Sequence, residues 1–320
     1  RTLATGQSAD FNHLYRVAQA RIAQAGVPAP SAPPCTHENC RSWELVGWPR
    51  EAQALGQCET TVAVGLIDTG INADHEIVQD AQLEVIPLAD ARLPPSKAIH
   101  GTAVASLLLG GQDTRVPGLI SDAEVTAVDA FSRQGEDERA DLVSLLRGLD
   151  LLAGTDVRVV GLSLAGPDNL LLSQTIAQIV GPEQIVLVAA AGNAGPKGLP
   201  AYPAAYEGVI AVTAVDARAR VYRQAQRGPH IDLAAPGVNM LAATSIRGAR
   251  LKTGTSFAVP FVTATVALLL SRDDTLSVQQ VAEHLRNGAR DLGAEGKDEI
   301  FGYGLVSPGG LCGRQKTEGG

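Results

Sequence analysis

The chain contains 320 residues, of which 45 % are hydrophobic and 19 % are charged. This composition supports a sizeable core in one large or two ordinary domains, and it excludes a disordered chain and a collagen-like repeat. The formal net charge of −8 excludes a basic surface of the kind that binds nucleic acid or an anionic membrane. The longest apolar runs, such as Val262 to Leu270, fall far short of the roughly 20 residues that span a bilayer, so we expect no transmembrane helix. The function must therefore come from a local site.

Residues 1–39 are predicted to form an N-terminal arm ahead of a single domain over residues 40–320. Apolar residues recur in the arm at helical spacing and predict a short helix: Phe11, Leu14, Val17, Ala18 and Ile22. The segment from Val27 to Pro34 is too rich in proline to continue that helix. We therefore expect a short helix followed by a stiff linker.

The four cysteines are predicted to form disulfides, because their spacing matches neither a C-x-x-C redox motif nor a zinc site. They are Cys35, Cys40, Cys58 and Cys312. Three pairings are possible, and position along the chain favours Cys58 with Cys312 and Cys35 with Cys40. The alternative is four free thiols in a cytosolic protein. Disulfides indicate an oxidising, extracytoplasmic location, either secreted or periplasmic, and we expect any signal peptide to have been removed before Arg1.

Beyond residue 43, apolar runs typical of buried strands alternate with helical patterns. The predicted strands are Val62–Ile67, Val125–Ala130, Val157–Leu162, Ile185–Ala190 and Val209–Val215. The predicted helices lie near Thr102–Leu109, Arg139–Ala153, Leu170–Val180, Phe257–Leu270 and Val278–Asn287. This alternation predicts an α/β fold of three layers, with a mostly parallel sheet covered by helices on both faces. Ligands of such sheets bind beyond the carboxyl ends of the strands.

Four polar residues follow those strands or open the helices. Asp68 ends the first strand, His100 precedes a helix, Asn193 lies on a glycine-flanked turn, and Ser256 opens the most apolar helix. Each has an ordinary structural explanation on its own, as a turn residue, a surface histidine, a left-handed turn residue or a helix cap. Together they supply a nucleophile, a base, a group that orients the base and a donor for an oxyanion. Those are the groups that acyl transfer to water needs.

Seven segments between residues 43 and 311 resemble, in order, the motif blocks of subtilisin-like serine proteases. They read VAVGLIDTGI, HGTAVASLLLG, VVGLSLAGP, VLVAAAGNAG, YPAAYEGVIAVTAVDA, IDLAAPGV and GTSFAVPFVTATVALLL. The resemblance implies a sheet of about seven strands, a triad of Asp68, His100 and Ser256 in the chain order of subtilisin, and Asn193 as the oxyanion donor. It also implies an endopeptidase that needs no cofactor. Its partners would be an extended peptide or protein substrate, and possible further partners are a propeptide or an inhibitor.

The same resemblance assigns the residues that would hold the substrate. One edge of the cleft would comprise Gln134, Gly135 and Glu136, and the other Ser163, Leu164, Ala165 and Gly166. The pocket for the residue before the cleaved bond would be walled by Ala190, Ala191 and Gly192, which favours an apolar or broad preference. The carboxylates at positions 136–138 would favour Lys or Arg in the substrate, unless they form only a solvated acidic turn.

Several positions depart from the family pattern. Ala103 replaces a second histidine beside His100, and Val259 and Phe261 replace the usual residues around the proline after Ser256. Ile77 stands where many subtilisins carry a calcium-binding aspartate, and the usual calcium loop is missing between Gly110 and Leu119. We therefore predict no metal at that place, while other calcium sites stay open.

Three alternatives compete with this interpretation. Asp68-Thr69-Gly70 resembles the motif of aspartic proteases, but the chain lacks the second such motif that a shared-proton pair needs. The segment Gly161–Ala165 resembles the nucleophile elbow of α/β-hydrolases around Ser163, although that hypothesis leaves His100 and Ser256 unexplained. The third alternative is a peptide-binding protein of the same fold that is catalytically silent or held inactive by its own arm.

Overall fold

The computed structural model describes residues 13–17, 37–49 and 58–311. The strands in this part of the chain are β1 Leu14–Val17, β2 Ala63–Asp68, β3 Leu83–Pro87, β4 Val125–Asp129, β5 Phe131–Gln134, β6 Asp137–Asp141, β7 Val157–Leu162, β8 Leu164–Ala165, β9 Val186–Ala190, β10 Val209–Val215, β11 Leu233–Pro236, β12 Met240–Ala243 and β13 Ala249–Lys252. The helices are α1 Cys40–Val46, α2 Ile99–Leu109, α3 Leu142–Ala153, α4 Leu170–Val180, α5 Val259–Arg272 and α6 Val278–Gly288. A 3₁₀ turn over Thr255–Phe257 precedes α5.

Seven of these strands form one parallel sheet, in the order β11-β10-β9-β7-β2-β4-β3. Side chains along β9 alternate between two hydrophobic clusters, which are the two faces of the sheet. Helices α2, α5 and α6 contribute to one cluster, and α3 and α4 contribute to the other. The predicted three-layer α/β fold with a seven-stranded parallel sheet is therefore confirmed.

The central strands lie where the apolar runs predicted them. The bounds of β7 and β10 agree with the prediction, those of β4 and β9 differ from it by one residue at one end, and β2 is shifted by one residue at both ends. The helix predicted from Arg139 begins at Leu142 instead. Its preceding residue, Asp141, caps it by accepting hydrogen bonds from the backbone N–H groups of Val143 and Ser144, at 2.9 and 3.1 Å. Residues 137–141 form strand β6.

The predicted helix of the arm is wrong for residues 14–17. Leu14–Val17 form strand β1, which pairs antiparallel with β6 on one side and with β8 on the other. Strand pairing satisfies backbone groups on both sides of the segment, whereas a short isolated helix is marginal in water. The remainder of the predicted helix, and the proline-rich linker, lie outside the described residues.

One described segment, Thr255–Arg272, is long and apolar enough to cross a membrane by length and composition alone. Its 18-residue window is 89 % buried inside the fold, as expected of a core helix. Helix α5 packs against β7 and β9, which explains why it is apolar on nearly every side.

Candidate active site

Asp68 lies at the carboxyl end of β2, where the strand order reverses between β4 and β7. Its side chain is 2 % exposed. The atom Oδ1 accepts a hydrogen bond from the backbone N–H of Thr69 at 2.6 Å and lies 2.7 Å from Nδ1 of His100. A buried carboxylate in contact with one ring nitrogen fixes the orientation of the imidazole.

His100 is the second residue of α2, and it is fully buried. Its helix is tied to the turn after Asp68, because the backbone N–H of Gly101 donates to Oγ1 of Thr69 at 2.8 Å. The close approach requires glycine, since a Cβ at residue 101 would overlap the backbone of Thr69. With Nδ1 engaged by Asp68, the other ring nitrogen, Nε2, is buried and has no hydrogen-bond partner among the described residues.

Ser256 lies in the 3₁₀ turn that leads into α5, so it is not the simple helix cap that its position also allowed. Its hydroxyl donates to the carbonyl oxygen of Ser163 at 3.0 Å, and the hydroxyl of Ser163 donates to the carbonyl oxygen of Ser256 at the same distance. These reciprocal bonds join the turn to the strand edge at Ser163. That edge continues as β8 and reaches helix α4 only at Leu170, unlike the sharp strand-to-helix turn of a nucleophile elbow.

The side chain of Asn193 is held in one orientation. Its Oδ1 accepts hydrogen bonds from the backbone N–H and the hydroxyl of Thr255, at 3.1 and 3.2 Å. The amide nitrogen Nδ2 is buried and has no hydrogen-bond partner within the described ranges. A fixed amide donor beside the turn of Ser256 is suited to binding a negatively charged oxygen.

Strand β1 occupies the channel between two strand edges near these groups. Leu14 and Tyr15 are in register with Asp141 and Ala140 of β6, and Arg16 and Val17 are in register with Ala165 and Leu164 of β8. The edge at Leu164 and Ala165 therefore pairs with an extended segment of the chain itself, and its role in binding substrate stays a prediction. The other predicted edge, Gln134–Glu136, lies at the β5–β6 hairpin turn, and β1 pairs with later residues of that hairpin. The polar sequence of β6 gave no signal of this role.

Tyr15 anchors β1 in this channel. Its side chain is fully buried and belongs to the hydrophobic cluster formed with α3 and α4. The aromatic ring lies against Gly166, where any larger residue would overlap it. Next along the strand, the exposed side chain of Arg16 forms an ion pair of 2.9 Å with Asp137. One of the carboxylates at positions 136–138, that of Asp137, thus contacts a basic side chain of the arm.

The three residues predicted to wall the remaining pocket lie together at the end of β9. Ala190 and Ala191 are fully buried, and the backbone N–H of Gly192 donates to the hydroxyl of Thr255 at 3.2 Å. Gly192 has a φ of +97°, and a Cβ there would collide with the side chain of Gln226. The chain thereby turns from β9 directly toward Asn193, and none of these three residues carries a charge. Their role in a substrate pocket stays a prediction.

No group of three or more His, Cys, Asp or Glu suited to hold a metal occurs in residues 13–17, 37–49 and 58–311. Ile77 is 3 % exposed and packs in the core, and its carbonyl oxygen accepts the backbone N–H of Gly111 at 2.8 Å. The absence of a calcium site at this place stays a prediction. Cys40 and Cys58 are both disulfide-bonded. Cys35 and Cys312 lie outside the described residues, so the pairing also stays a prediction.

An Asp–His pair, a serine before a helix and an amide donor at the carboxyl edge of a parallel α/β sheet are the groups that a serine hydrolase needs. The profile of the "Subtilase family" matches residues 59–304, which is more than half of the chain. The chain therefore belongs to the subtilase family, a family of serine endopeptidases.

Individual relatives agree with this family. The chain is 31 % identical over 265 residues to Subtilisin DY of Bacillus licheniformis, covering 80 % of this chain and 93 % of the relative. It is 28 % identical over 274 residues to the Minor extracellular protease Epr of Bacillus subtilis, covering 85 % of this chain but only 42 % of that longer relative. Among solved structures, the Patellamide maturation protease PatA superposes with a TM-score of 0.69 at 27 % identity, over 79 % of this chain and 97 % of PatA.

Proposed function

We propose that this protein hydrolyses peptide bonds as a serine endopeptidase, with Ser256 as nucleophile, His100 as general base and Asp68 as the residue that orients it. The observation that carries the proposal is the 2.7 Å contact between Oδ1 of Asp68 and Nδ1 of His100 in a fully buried site. That contact leaves Nε2 of His100 as the nitrogen available to the nucleophile. Subtilase chemistry needs no cofactor besides these groups.

The first chemical step is attack by Oγ of Ser256 on the carbonyl carbon of the substrate. His100 takes the hydroxyl proton at Nε2, and the resulting imidazolium is stabilised by Asp68. His100 then delivers this proton to the leaving amine, which releases one product and leaves an ester on Ser256. Water hydrolyses the ester by the same proton transfers. Each step uses only these side chains, the substrate and water.

The oxyanion formed in each attack would be bound by Nδ2 of Asn193 and by the backbone N–H of Ser256. Asn193 supports this role because its Oδ1 is held by Thr255, which directs the amide nitrogen away from that contact. The N-terminus of α5 follows the turn of Ser256, and its positive dipole end would also stabilise the oxyanion. A donor fixed before the reaction stabilises the developing charge without reorganising.

The substrate would bind as an extended strand between β6 and β8. Strand β1 supports this hypothesis, because it pairs with both edges in antiparallel register. Extending that register by one residue brings the next position of a substrate opposite Ser163, whose carbonyl oxygen accepts the hydroxyl of Ser256. The substrate residue before the cleaved bond would rest on the apolar wall formed by Ala190 and Ala191.

A serine-directed fluorophosphonate tests the proposal. We expect a stoichiometric adduct on Ser256 in the full chain, and no adduct in the Ser256→Ala variant. Ser173→Ala is the matched control, since this serine lies on α4 outside the site and its loss should leave labelling intact. An adduct on Ser163, or hydrolysis of peptides by Ser256→Ala at more than a few per cent of the original rate, would contradict the assignment.

The position of β1 favours a second proposal, that the arm inhibits the enzyme in its resting state. Strand β1 lies where the substrate would bind, and the side chains of His100 and Ser256 have no exposed surface. A substrate must displace the arm before it can pair with β6 and β8. Amide hydrogen exchange on the intact chain tests this state. Slow exchange at Tyr15 and Val17, matching that of β8, supports it, and exchange at the rate of a free peptide would refute it.

We also propose that the protein acts outside the cytoplasm. The disulfide-bonded state of Cys40 and Cys58 supports an oxidising compartment, and the Bacillus subtilis relative is named as extracellular. Fractionation of the source cells, with detection of the protein by antibody, tests this location.

A further inference from the structure

Asp129 is a largely buried carboxylate that the proposed mechanism does not use. It is the last residue of β4, and the parallel register places it directly beside Asp68 at the end of β2. Across residues 13–17, 37–49 and 58–311, no lysine or arginine forms an ion pair with it. A carboxylate so placed has an energetic cost when it is ionised, so its retention beside the site calls for an explanation.

The carboxylate of Asp129 is held against the turn that follows Asp68. Its Oδ2 accepts the hydroxyl of Ser96 at 3.4 Å, and the same hydroxyl oxygen accepts the backbone N–H of Gly70 at 2.8 Å. A Cβ at residue 70 would lie only 2.8 Å from Oδ2 of Asp129, so the carboxylate packs directly on the glycine backbone. The other oxygen, Oδ1, accepts the backbone N–H of Phe131 at 3.1 Å.

The turn packed on Asp129 is the one that positions the base. Its central residue, Thr69, donates its backbone N–H to Asp68 and accepts the backbone N–H of Gly101 at Oγ1. A continuous set of contacts therefore runs from Asp129 through Ser96 and the turn to the helix that carries His100. Displacement of the carboxylate would move the turn, and with it the partner of the imidazole.

The charges around Asp129 are mostly negative. Burial, with smaller contributions from the charges of Asp68 on β2 and Glu138 on β6, raises the pKa of Asp129 to about 6. The nearby cations are engaged elsewhere: Lys97 lies 3.7 Å from Glu136, and Arg133 on β5 donates to the carbonyl oxygen of Pro95. His100 lies on α2, against the far side of Asp68, and it is the group on that helix that can gain a positive charge.

We propose that Asp129 is a positioning residue for the Asp68–His100 pair: it supports the turn through Ser96, and its negative charge adds to that of Asp68 beside the base. The consequence is that the pH dependence of catalysis responds to the charge of Asp129 as well as to that of Asp68. The proposal rests on the proposed function in that it assigns His100 as the base. Its structural part concerns the contact between Asp68 and His100 and is measurable without catalysis.

The test compares Asp129→Asn, which removes the charge at nearly constant shape, with Glu283→Gln, which removes an exposed charge on α6. The downfield proton signal of the hydrogen bond between Asp68 and His100 is recorded by NMR in a Ser256→Ala background and assigned with His100→Gln. We expect this signal to shift in Asp129→Asn and to stay in place in the control. The acid limb of the kcat/KM profile of the active enzyme should move about 0.5–1 pH unit lower in Asp129→Asn.

Ser96→Ala separates the support from the charge. It keeps the carboxylate but removes the hydroxyl that links Asp129 to Gly70, so kcat should fall while the acid limb stays in place. The unsubstituted chain gives an independent measurement, because the same NMR signal should change near pH 6 as Asp129 ionises. An NMR signal and an acid limb that are both unchanged in Asp129→Asn would overturn the charge coupling. A Ser96→Ala enzyme with unchanged kcat would overturn the support. If no variant or parent hydrolyses peptides, the NMR result still decides the coupling while the function itself fails.

Discussion

Truncation of the buried tyrosine of the arm should activate the enzyme. Tyr15 is fully buried in the cluster formed with α3 and α4, whereas Arg16 beside it forms an exposed ion pair. Truncating a buried aromatic side chain to alanine costs roughly 3–5 kcal/mol. At about 1.4 kcal/mol for each tenfold change, Tyr15→Ala should shift the balance from docked to undocked arm by roughly 10² to more than 10³.

The matched control is Arg16→Ala. In its ion pair with Asp137 the two side chains are 58 % and 46 % exposed, and exposed pairs contribute about 0.2–1 kcal/mol. Its removal should therefore change the balance by less than about tenfold. The two variants alter neighbouring residues of the same strand, so a large difference between them isolates the buried ring from the strand pairing they share.

The assay is the initial rate on an internally quenched peptide at a concentration well below KM, divided by the active-site concentration from fluorophosphonate titration. Tyr15→Ala should be faster than the parent by the factor above, or until release of the arm is complete. Melting curves check that the variants are folded. Because the arm is tethered, the inhibition should not depend on protein concentration. Equal rates for the parent, Tyr15→Ala and Arg16→Ala would refute the arm as an inhibitor.

Four further outcomes are expected. Ser256→Ala should lose about 10⁶-fold in kcat, on the scale measured for subtilisin, and Asn193→Ala about 10²–10³-fold, both checked by steady-state kinetics on folded protein. Peptide mapping without reduction should recover Cys58 linked to Cys312, and loss of that bond should lower the free energy of unfolding by about 2–5 kcal/mol. Melting curves in excess chelator and in millimolar calcium should overlay, since a ligand bound at ~100 times its Kd would add about 2.7 kcal/mol. Burial raises the pKa of Asp129 from 3.8 to about 6, so the folded state holds this proton more tightly than the unfolded state does. Ionised Asp129 therefore lowers the free energy of unfolding increasingly as the pH rises from about 4 to 6. In urea unfolding, Asp129→Asn should be more stable than the parent by up to about 3 kcal/mol at pH 8, and equally stable near pH 3.

The central strands were predictable because they are buried on both faces. A run such as Val209–Val215 is apolar at nearly every position, which is typical of parallel strands covered by helices. Strand β6 has the sequence DERAD and stands at the surface, so its composition resembles a polar helix start. Only its pairing with β5 and β1, which is not local in sequence, makes it a strand.

The candidate triad was predictable for a different reason. Asp68 follows a strand, and Ser256 opens a helix, and the topology of a parallel sheet brings such positions to one edge. The placement of β1 was not predictable, because the three-residue spacing of Leu14 and Val17 fits a helix, whereas the two-residue spacing of Tyr15 and Val17 fits a strand. So short a segment does not distinguish the two. Asp129 gave no signal either, since an aspartate after an apolar run is typical of an ordinary turn.

Three buried polar atoms of the candidate site have a use in the proposed mechanism. Nδ2 of Asn193, Nε2 of His100 and Oδ2 of Asp68 are all buried, and none has a hydrogen-bond partner among the described residues. In the proposed mechanism a tetrahedral oxyanion would accept from Asn193, and a protonated His100 would donate toward that intermediate and interact more strongly with Asp68. The site would therefore gain hydrogen bonds as the reaction proceeds, and interactions that strengthen only in the transition state are the ones that lower the barrier.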